Sequence, residues 1–224
     1  MGDKRGNVRL VGAVALNGVE VSGREARTLL GLLGAAGGPV GIDAIGDELR
    51  TDVARVVRRL RAEFGPDVIA GGRRGYRLGD GIEVDLHRAA YLVGQAETAL
   101  GNGFPHAGSR AVEQVLELIG GRPVLAEHPR AEWAERARAR QAELLRRAWH
   151  TGASCALQER DPARARTLAE AAIVADPFDE RAYGILTHAC IAAGEPAGAL
   201  LAHECLHARL VAELDTLRRV AIPA

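Results

Sequence analysis

The chain has 224 residues, 47% hydrophobic and 4% aromatic, with 29 Lys+Arg balanced by 29 Asp+Glu. That length can bury one large core or two small ones, and zero net charge by itself argues against a nonspecific polyanion binder. No run of about eighteen apolar residues occurs and the N-terminus MGDKRGNVRLVG lacks the apolar stretch of a signal peptide, so a soluble, cytoplasmic protein with no membrane partner is expected.

The charge is unevenly placed. Residues 1–80 carry 13 basic and 10 acidic side chains, and residues 50–77 carry 8 against 3. Every basic residue except Lys4 is arginine. Cys155, Cys190 and Cys205 are far apart with no CxxC pair, so they read as small buried apolar residues rather than a disulfide or zinc framework.

In chain order, VRLVGAVALNGVEV (8–21) has apolar alternation around Asn17-Gly18, a hairpin signal between two short strands. Ser22-x-x-Glu25 reads as a capping box, and Ala26, Leu29, Leu30 and Leu33 follow at helical spacing, predicting a helix over 23–35. Ala-Ala-Gly-Gly-Pro at 35–39 stops it, and a short helix from Ile42 to Leu49 follows. In TDVARVVRRLRAEFG (51–65), Val53, Val56, Val57, Leu60 and Phe64 mark one buried helical face. Arg55, Arg58, Arg59 and Arg61 then occupy the other sides, and Thr51 is placed to cap the helix. DVIAGGRRGYRL (67–78) reads as a β-hairpin with its tip at Gly71–Gly75 and Tyr76 as a core plug.

Strands, three helices with an arginine face on the third, then a hairpin is the order of a winged helix-turn-helix. From Gly81 onward the pattern is helical, predicting helices at 86–100, 109–119 and 130–147. Further on, Asp161-Pro162-Ala163 and Glu195-Pro196-Ala197, Trp149 and Tyr183, and Ala165 and Ala199 each lie 34 residues apart, the tetratricopeptide period. In this register Ala165 and Ala172 sit where paired helices touch. The expected fold class is therefore an α+β N-terminal winged helix-turn-helix (1–80) followed by an all-α tetratricopeptide-like helical-repeat domain (81–224).

The RLRxxxG of Arg59–Gly65 followed by RGYRL (74–78) resembles the recognition helix and wing of an OmpR-type winged helix. GIEVDLHRAAYLV (81–93), GGRPVLAEHPRAEWAERARARQAEL (120–144) and DPFDERAYGIL (176–186) resemble the bacterial transcriptional activator domain. Together they resemble SARP-type regulators over residues 8–218. The resemblance implies a transcriptional regulator that binds double-stranded DNA at direct-repeat promoter sites as a homodimer, beside RNA polymerase. The DNA-binding residues it implies are Thr51, Arg55, Arg58, Arg59, Arg61, Arg73, Arg74 and Arg77, with Arg55 and Arg59 reading bases and Arg61, Arg74 and Arg77 anchoring phosphates. Guanidinium groups suit both tasks, gripping phosphate or the O6/N7 edge of guanine, and entering a narrow minor groove. One departure stands out. Leu49-Arg50-Thr51-Asp52 joins the second and third predicted helices directly, without the longer loop that in the family can touch RNA polymerase.

His203-x3-His207 shares a helix face, but Cys205 points elsewhere and His203 falls at a repeat-packing position, so no metal is expected. Trp133 and Trp149 read as core anchors. The sequence holds no GxxxxGK[ST], GxSxG or HExxH, so neither an enzyme nor a cofactor is expected. The competing reading is a helical-repeat interaction scaffold whose winged helix no longer binds DNA.

Overall fold

The computed structural model describes the backbone of residues 6–221 and the side chains of residues 6–213. The outermost residues of both expected domains lie outside that range. Two compact units are present: residues through Tyr91 with Glu117–Gln141, and Leu92–Leu116 with Ala142 onward.

In the first unit, β1 (Gly6–Arg9), β2 (Ala15–Leu16) and β3 (Val19–Glu20) are antiparallel neighbours, with Val8 opposite Leu16 and Ala15 opposite Glu20. The β2–β3 turn is the expected Asn17-Gly18, both at positive φ (52° and 81°), as a two-residue hairpin matching strand twist requires. A fourth strand, β7 (Ile82–Val84), runs parallel to β1 with Ile82 opposite Gly6. Three helices follow β3: α1 (Arg24–Ala36), α2 (Ile42–Leu49) and α3 (Val53–Phe64). A second sheet in the order β4-β6-β5 contains β4 (Val40–Gly41), β5 (Ile69–Gly72) and β6 (Gly75–Leu78).

The core follows the predicted spacing. Leu29, Leu30 and Leu33 of α1, Ile45 of α2 and Leu60 of α3 are fully buried with Leu10, Leu16 and Ile69. Val53, Val56 and Val57 are buried on the same side of α3, Phe64 is half-buried, and Tyr76 is buried as expected of a plug.

Both expected caps are displaced. Gly23, not Ser22, is the N-cap of α1, and no side chain caps this helix. Asp52, not Thr51, caps α3, its Oδ1 accepting from the Ala54 N–H at 2.9 Å. Ser22 and Thr51 have arginine partners instead, described below.

Residues 117–141 are built into the first unit. The Leu125 N–H donates to the Leu10 carbonyl at 2.9 Å, Gly12 N–H donates to Pro123 O at 3.2 Å, and Val11 bridges Val124. Leu125 is fully buried against Gly31, where a Cβ would come within 2.7 Å of Leu125 Cδ2 and 3.3 Å of the Trp133 indole. Gln141 closes the segment: its Nε2 donates to Ile119 O and Arg122 O at 2.7 Å each, and its Oε1 accepts from Val124 N–H at 2.9 Å. Asp85 ties the sheet to the start of the following helix, accepting from the N–H groups of Leu10, Val11 and Leu86 at 2.7–2.9 Å.

The division between units falls inside three helices, α4 (Asp85–Gly101), α5 (Pro105–Ile119) and α6 (Glu132–Gln158). Helix α6 starts close to the predicted 130 but runs on well past 147. The second unit continues with α7 (Pro162–Ala175), α8 (Glu180–Ala192) and α9 (Pro196–Ala221), successive helices packed as hairpins. Asp161 and Asp179 cap α7 and α8 through the Arg164 and Ala182 N–H groups, each at 3.0 Å. Small residues let the helices approach: Ala153, Ala156, Ala165, Ala169, Ala172 and Ala189 are buried, and a Cβ on Gly152 would meet Val112 Cγ1 at 2.8 Å. Tyr183 and Ala199 are buried at the repeat positions, and Trp149 is half-buried against Ala153, Leu168, Ala169 and Ile185.

Two expectations for α9 and its neighbours are corrected. Cys155 and Cys190 are buried, but Cys205 is exposed, off the α9 face on which Ala199 and Ala202 are buried. His203 is exposed as well, so it is no packing residue. Among the described residues no cluster of three metal-ligating side chains occurs.

Candidate nucleic-acid interface

Helix α3 buries Val53, Val56, Val57 and Leu60, which at 100° per residue turns Arg55, Arg58 and Arg59 to the opposite, exposed side. The connection from α2 is short. Arg50 takes a left-handed conformation (φ 53°) as the C-cap of α2, and α3 begins at Val53.

The eight candidate residues divide by what their side chains already hold. Arg55 Nη2 donates to Thr51 Oγ1 at 2.9 Å, one turn back on the same face. Arg58 makes only a long contact of 3.4 Å from Nε to the Ala54 carbonyl. Arg59 leaves its helix and reaches the residue before the α1 N-cap: its Nη2 donates to the Ser22 carbonyl and to Ser22 Oγ, the latter at 3.3 Å. None of these three guanidinium groups forms an ion pair among the described residues.

Arg61 is engaged in the framework. It is half-buried at the flank of α3, and its Nε and Nη2 donate to the Ile69 carbonyl of β5 at 3.0 and 2.7 Å. Nη2 also reaches Gly71 O at 3.3 Å, and the guanidinium lies 5.9 Å from the Tyr76 ring centroid. Arg77 pairs with Asp80 through both terminal nitrogens and donates to Leu78 O at 3.1 Å. Hydrogen bonding and charge from Arg77 hold the Asp80 carboxyl below its usual range.

Arg73 and Arg74 form the tip of the β5–β6 hairpin. Both are exposed, and neither makes a side-chain hydrogen bond or ion pair among the described residues. The tip is tight because Gly71 and Gly75 adopt φ of 112° and 155°, and a side chain on either would collide with the backbone of the neighbouring strand. The hairpin therefore displays two unpaired cations on a backbone that has little freedom to fold them back.

Sequence reasoning did not pick out Gly23 or Asp80, and it read Ser22 only as a helix cap. Asp80 stood within reach of Arg77 in the sequence at i+3, which was the available signal. Ser22 and Arg59 are 37 residues apart, and nothing local joins them.

The model of the bacterial transcriptional activator domain matches residues 84–222. The chain belongs to that family. In front of this domain the chain carries the winged-helix fold expected from the sequence. Among solved structures, "Mycobacterium tuberculosis EmbR in complex with low affinity phosphopeptide" superposes with a TM-score of 0.81 at 22% identity, covering 94% of this chain. The chain spans 61% of the EmbR chain's length, and the likeness shows a shared fold. No curated protein matches the sequence. No helix among the described residues is long and apolar enough to cross a membrane.

Proposed function

We propose that this regulator reads promoter DNA with the exposed face of α3 and the tip of the β5–β6 hairpin. The observation that carries the reading is the state of the arginines. Arg55, Arg58 and Arg59 on α3 and Arg73 and Arg74 on the hairpin are exposed and have no carboxylate partner among the described residues, whereas Arg27, Arg77, Arg147, Arg164 and Arg166 are each paired with one. Cations left unneutralised on one helix face and one hairpin tip suit a polyanion with a groove.

In this reading α3 lies in the major groove, where Arg55 gives up Thr51 to meet a base edge and Arg58 extends beside it. Arg73 and Arg74 reach the adjacent minor groove or its phosphates. Arg61 and Arg77 serve by holding the hairpin in place. The protein acts in the cytoplasm as a homodimer on direct-repeat sites. With three residues between α2 and α3, contact to RNA polymerase is assigned to surfaces other than that turn.

The test is fluorescence anisotropy of the full chain on duplex from its own upstream region and on unrelated duplex, at several salt concentrations. Clearly tighter binding to the upstream duplex with steep salt dependence is expected. Replacing Arg73 and Arg74 together by Ala should weaken both duplexes alike and reduce the salt slope by about 2. Weak binding that does not distinguish the duplexes, or none at low salt, would favour the interaction scaffold.

A further inference from the structure

Arg59 is seated against the start of α1. Its guanidinium lies in a notch over Gly23, where a built Cβ would come within 2.9 Å of Nη2, 3.1 Å of Nη1 and 3.4 Å of Cζ. Gly23 has φ of 87°, a conformation that side chains resist. Beside it, Ser22 offers its carbonyl and its hydroxyl to the same nitrogen, Nη2. Ser22 and Glu25 have the residue types and spacing of a capping box, yet no side chain caps α1. The serine that could close the helix end faces the arginine instead.

Arginine grips a guanine edge or a carboxylate through two parallel N–H groups. It has two such forks, Nε with Nη2 and Nη1 with Nη2, and both use Nη2. In Arg59 Nη2 already donates to both Ser22 acceptors, its carbonyl and its hydroxyl. Neither fork is open to guanine O6 and N7 while the seat is held. Nη1 and Nε remain, on opposite sides of the occupied Nη2, and each can donate singly to a non-bridging oxygen of a backbone phosphate. Arg55 differs: its one side-chain partner, Thr51 Oγ1, lies four residues back, just before the same helix, in an exposed contact that water can exchange.

We infer that Ser22 and Gly23 are positioning residues that hold Arg59 as a phosphate anchor and take it out of base reading, an inference that rests on the DNA reading above. Sequence discrimination then falls to Arg55 and Arg58, and the start of α1 sets where the phosphate backbone passes relative to α3.

The experiment uses the full chain on upstream and unrelated duplex, with single-base variants of the upstream site, for wild type, Arg59→Ala, Ser22→Ala, Gly23→Ala and the Ser22→Ala/Arg59→Ala pair. Arg59→Ala should weaken every duplex by the same factor, roughly tenfold, lower the salt slope by about 1 and leave discrimination between single-base variants unchanged. Ser22→Ala should weaken all duplexes equally by about twofold, and that effect should vanish when Arg59 is already Ala. Gly23→Ala, which fills the notch, should weaken them further and change discrimination, because it frees Nη2. Loss of discrimination at one base pair in Arg59→Ala with an unchanged salt slope would overturn the inference. So would a Ser22→Ala effect that persists in full without Arg59. Wild-type protein that binds neither duplex would overturn the DNA reading itself, and the inference with it.

Discussion

Replacing Asp85 by Ala tests how strongly the first sheet is tied to the activator domain's first helix. Its carboxylate accepts from Leu10 N–H at 2.7 Å, Val11 N–H at 2.9 Å and Leu86 N–H at 2.8 Å. Leu10 and Leu86 are buried, at 0% and 4% exposure, so water cannot replace the lost acceptor without opening the core. Each orphaned buried donor costs about 1–3 kcal/mol, offset in part by removing a desolvated carboxylate, for a net loss of about 3 kcal/mol. Urea unfolding should be followed in a Trp149→Phe background, so that Trp133, the other of the chain's two tryptophans, reports on the first unit alone. Burial pushes the Asp85 carboxyl above its ordinary value of 3.8, against the pull of the three N–H groups. A carboxyl raised in the folded state contributes most below its unfolded value, and that contribution is lost as pH rises through the folded value. The cost of Asp85→Ala should therefore grow on acidification from neutral pH toward pH ~4. A loss below about 1 kcal/mol at neutral pH would refute the argument that these N–H groups have no other acceptor. A cost that shrinks on acidification would show that the N–H groups outweigh burial.

Gln141→Leu keeps the volume and removes all three bonds to Ile119, Arg122 and Val124. It should destabilise the first unit by about 2–4 kcal/mol in the same Trp133 assay, chiefly from the buried Val124 N–H and Ile119 carbonyl left without partners, the Arg122 carbonyl being part-buried. In the second unit, His150 Nε2 lies 2.6 Å from Asp179 Oδ2, joining α6 to the cap of α8. Burial pushes the His150 imidazole below its ordinary 6.5, opposed by the Asp179 charge. A base depressed in the folded state contributes fully above its unfolded value, so stability should fall as pH drops below that value toward the folded one. Thermal unfolding by circular dichroism between pH ~7.5 and ~5 should show this slope in wild type and a flatter one in His150→Gln.

Much of the architecture was legible because it is locally encoded. The 3-4 spacing of Val53, Val56, Val57 and Leu60 leaves one way to bury α3, and the glycines around Arg73-Arg74 permit a hairpin tip that other residues would block. The 34-residue recurrence of small and aromatic residues likewise reports helices that must touch closely. The caps were harder. Thr51 and Asp52 are adjacent residues of capping type, and the helix begins at Val53, which makes Asp52 the cap and leaves the Thr51 hydroxyl to Arg55. Ser22 was misread because its competitor for the hydroxyl comes from another helix. Residues 117–141 carry no local mark of belonging with the first sheet. Val124 and Leu125 look like any apolar pair, and only their meeting with Leu10, Val11 and Gly31 places them there.

The same limit governs the arginines. In the sequence, Arg55, Arg58, Arg59 and Arg61 are equivalent cations on one helix, and the chemistry that separates them is tertiary. Arg61 directs a fork at the Ile69 carbonyl and a face at Tyr76, so it fixes the β5–β6 hairpin against α3. On the DNA reading proposed above, α3 and the hairpin tip can be engaged together only when their spacing matches that of the grooves, and the Arg61 bonds to Ile69 help to fix that spacing. On that reading an arginine that does not itself touch DNA still positions those that do. Lysine at position 61 would keep the charge but lose the planar fork that holds one carbonyl through two nitrogens. What selects arginine at that position is geometry, and what makes Arg73 and Arg74 available is that the hairpin beneath them is already held.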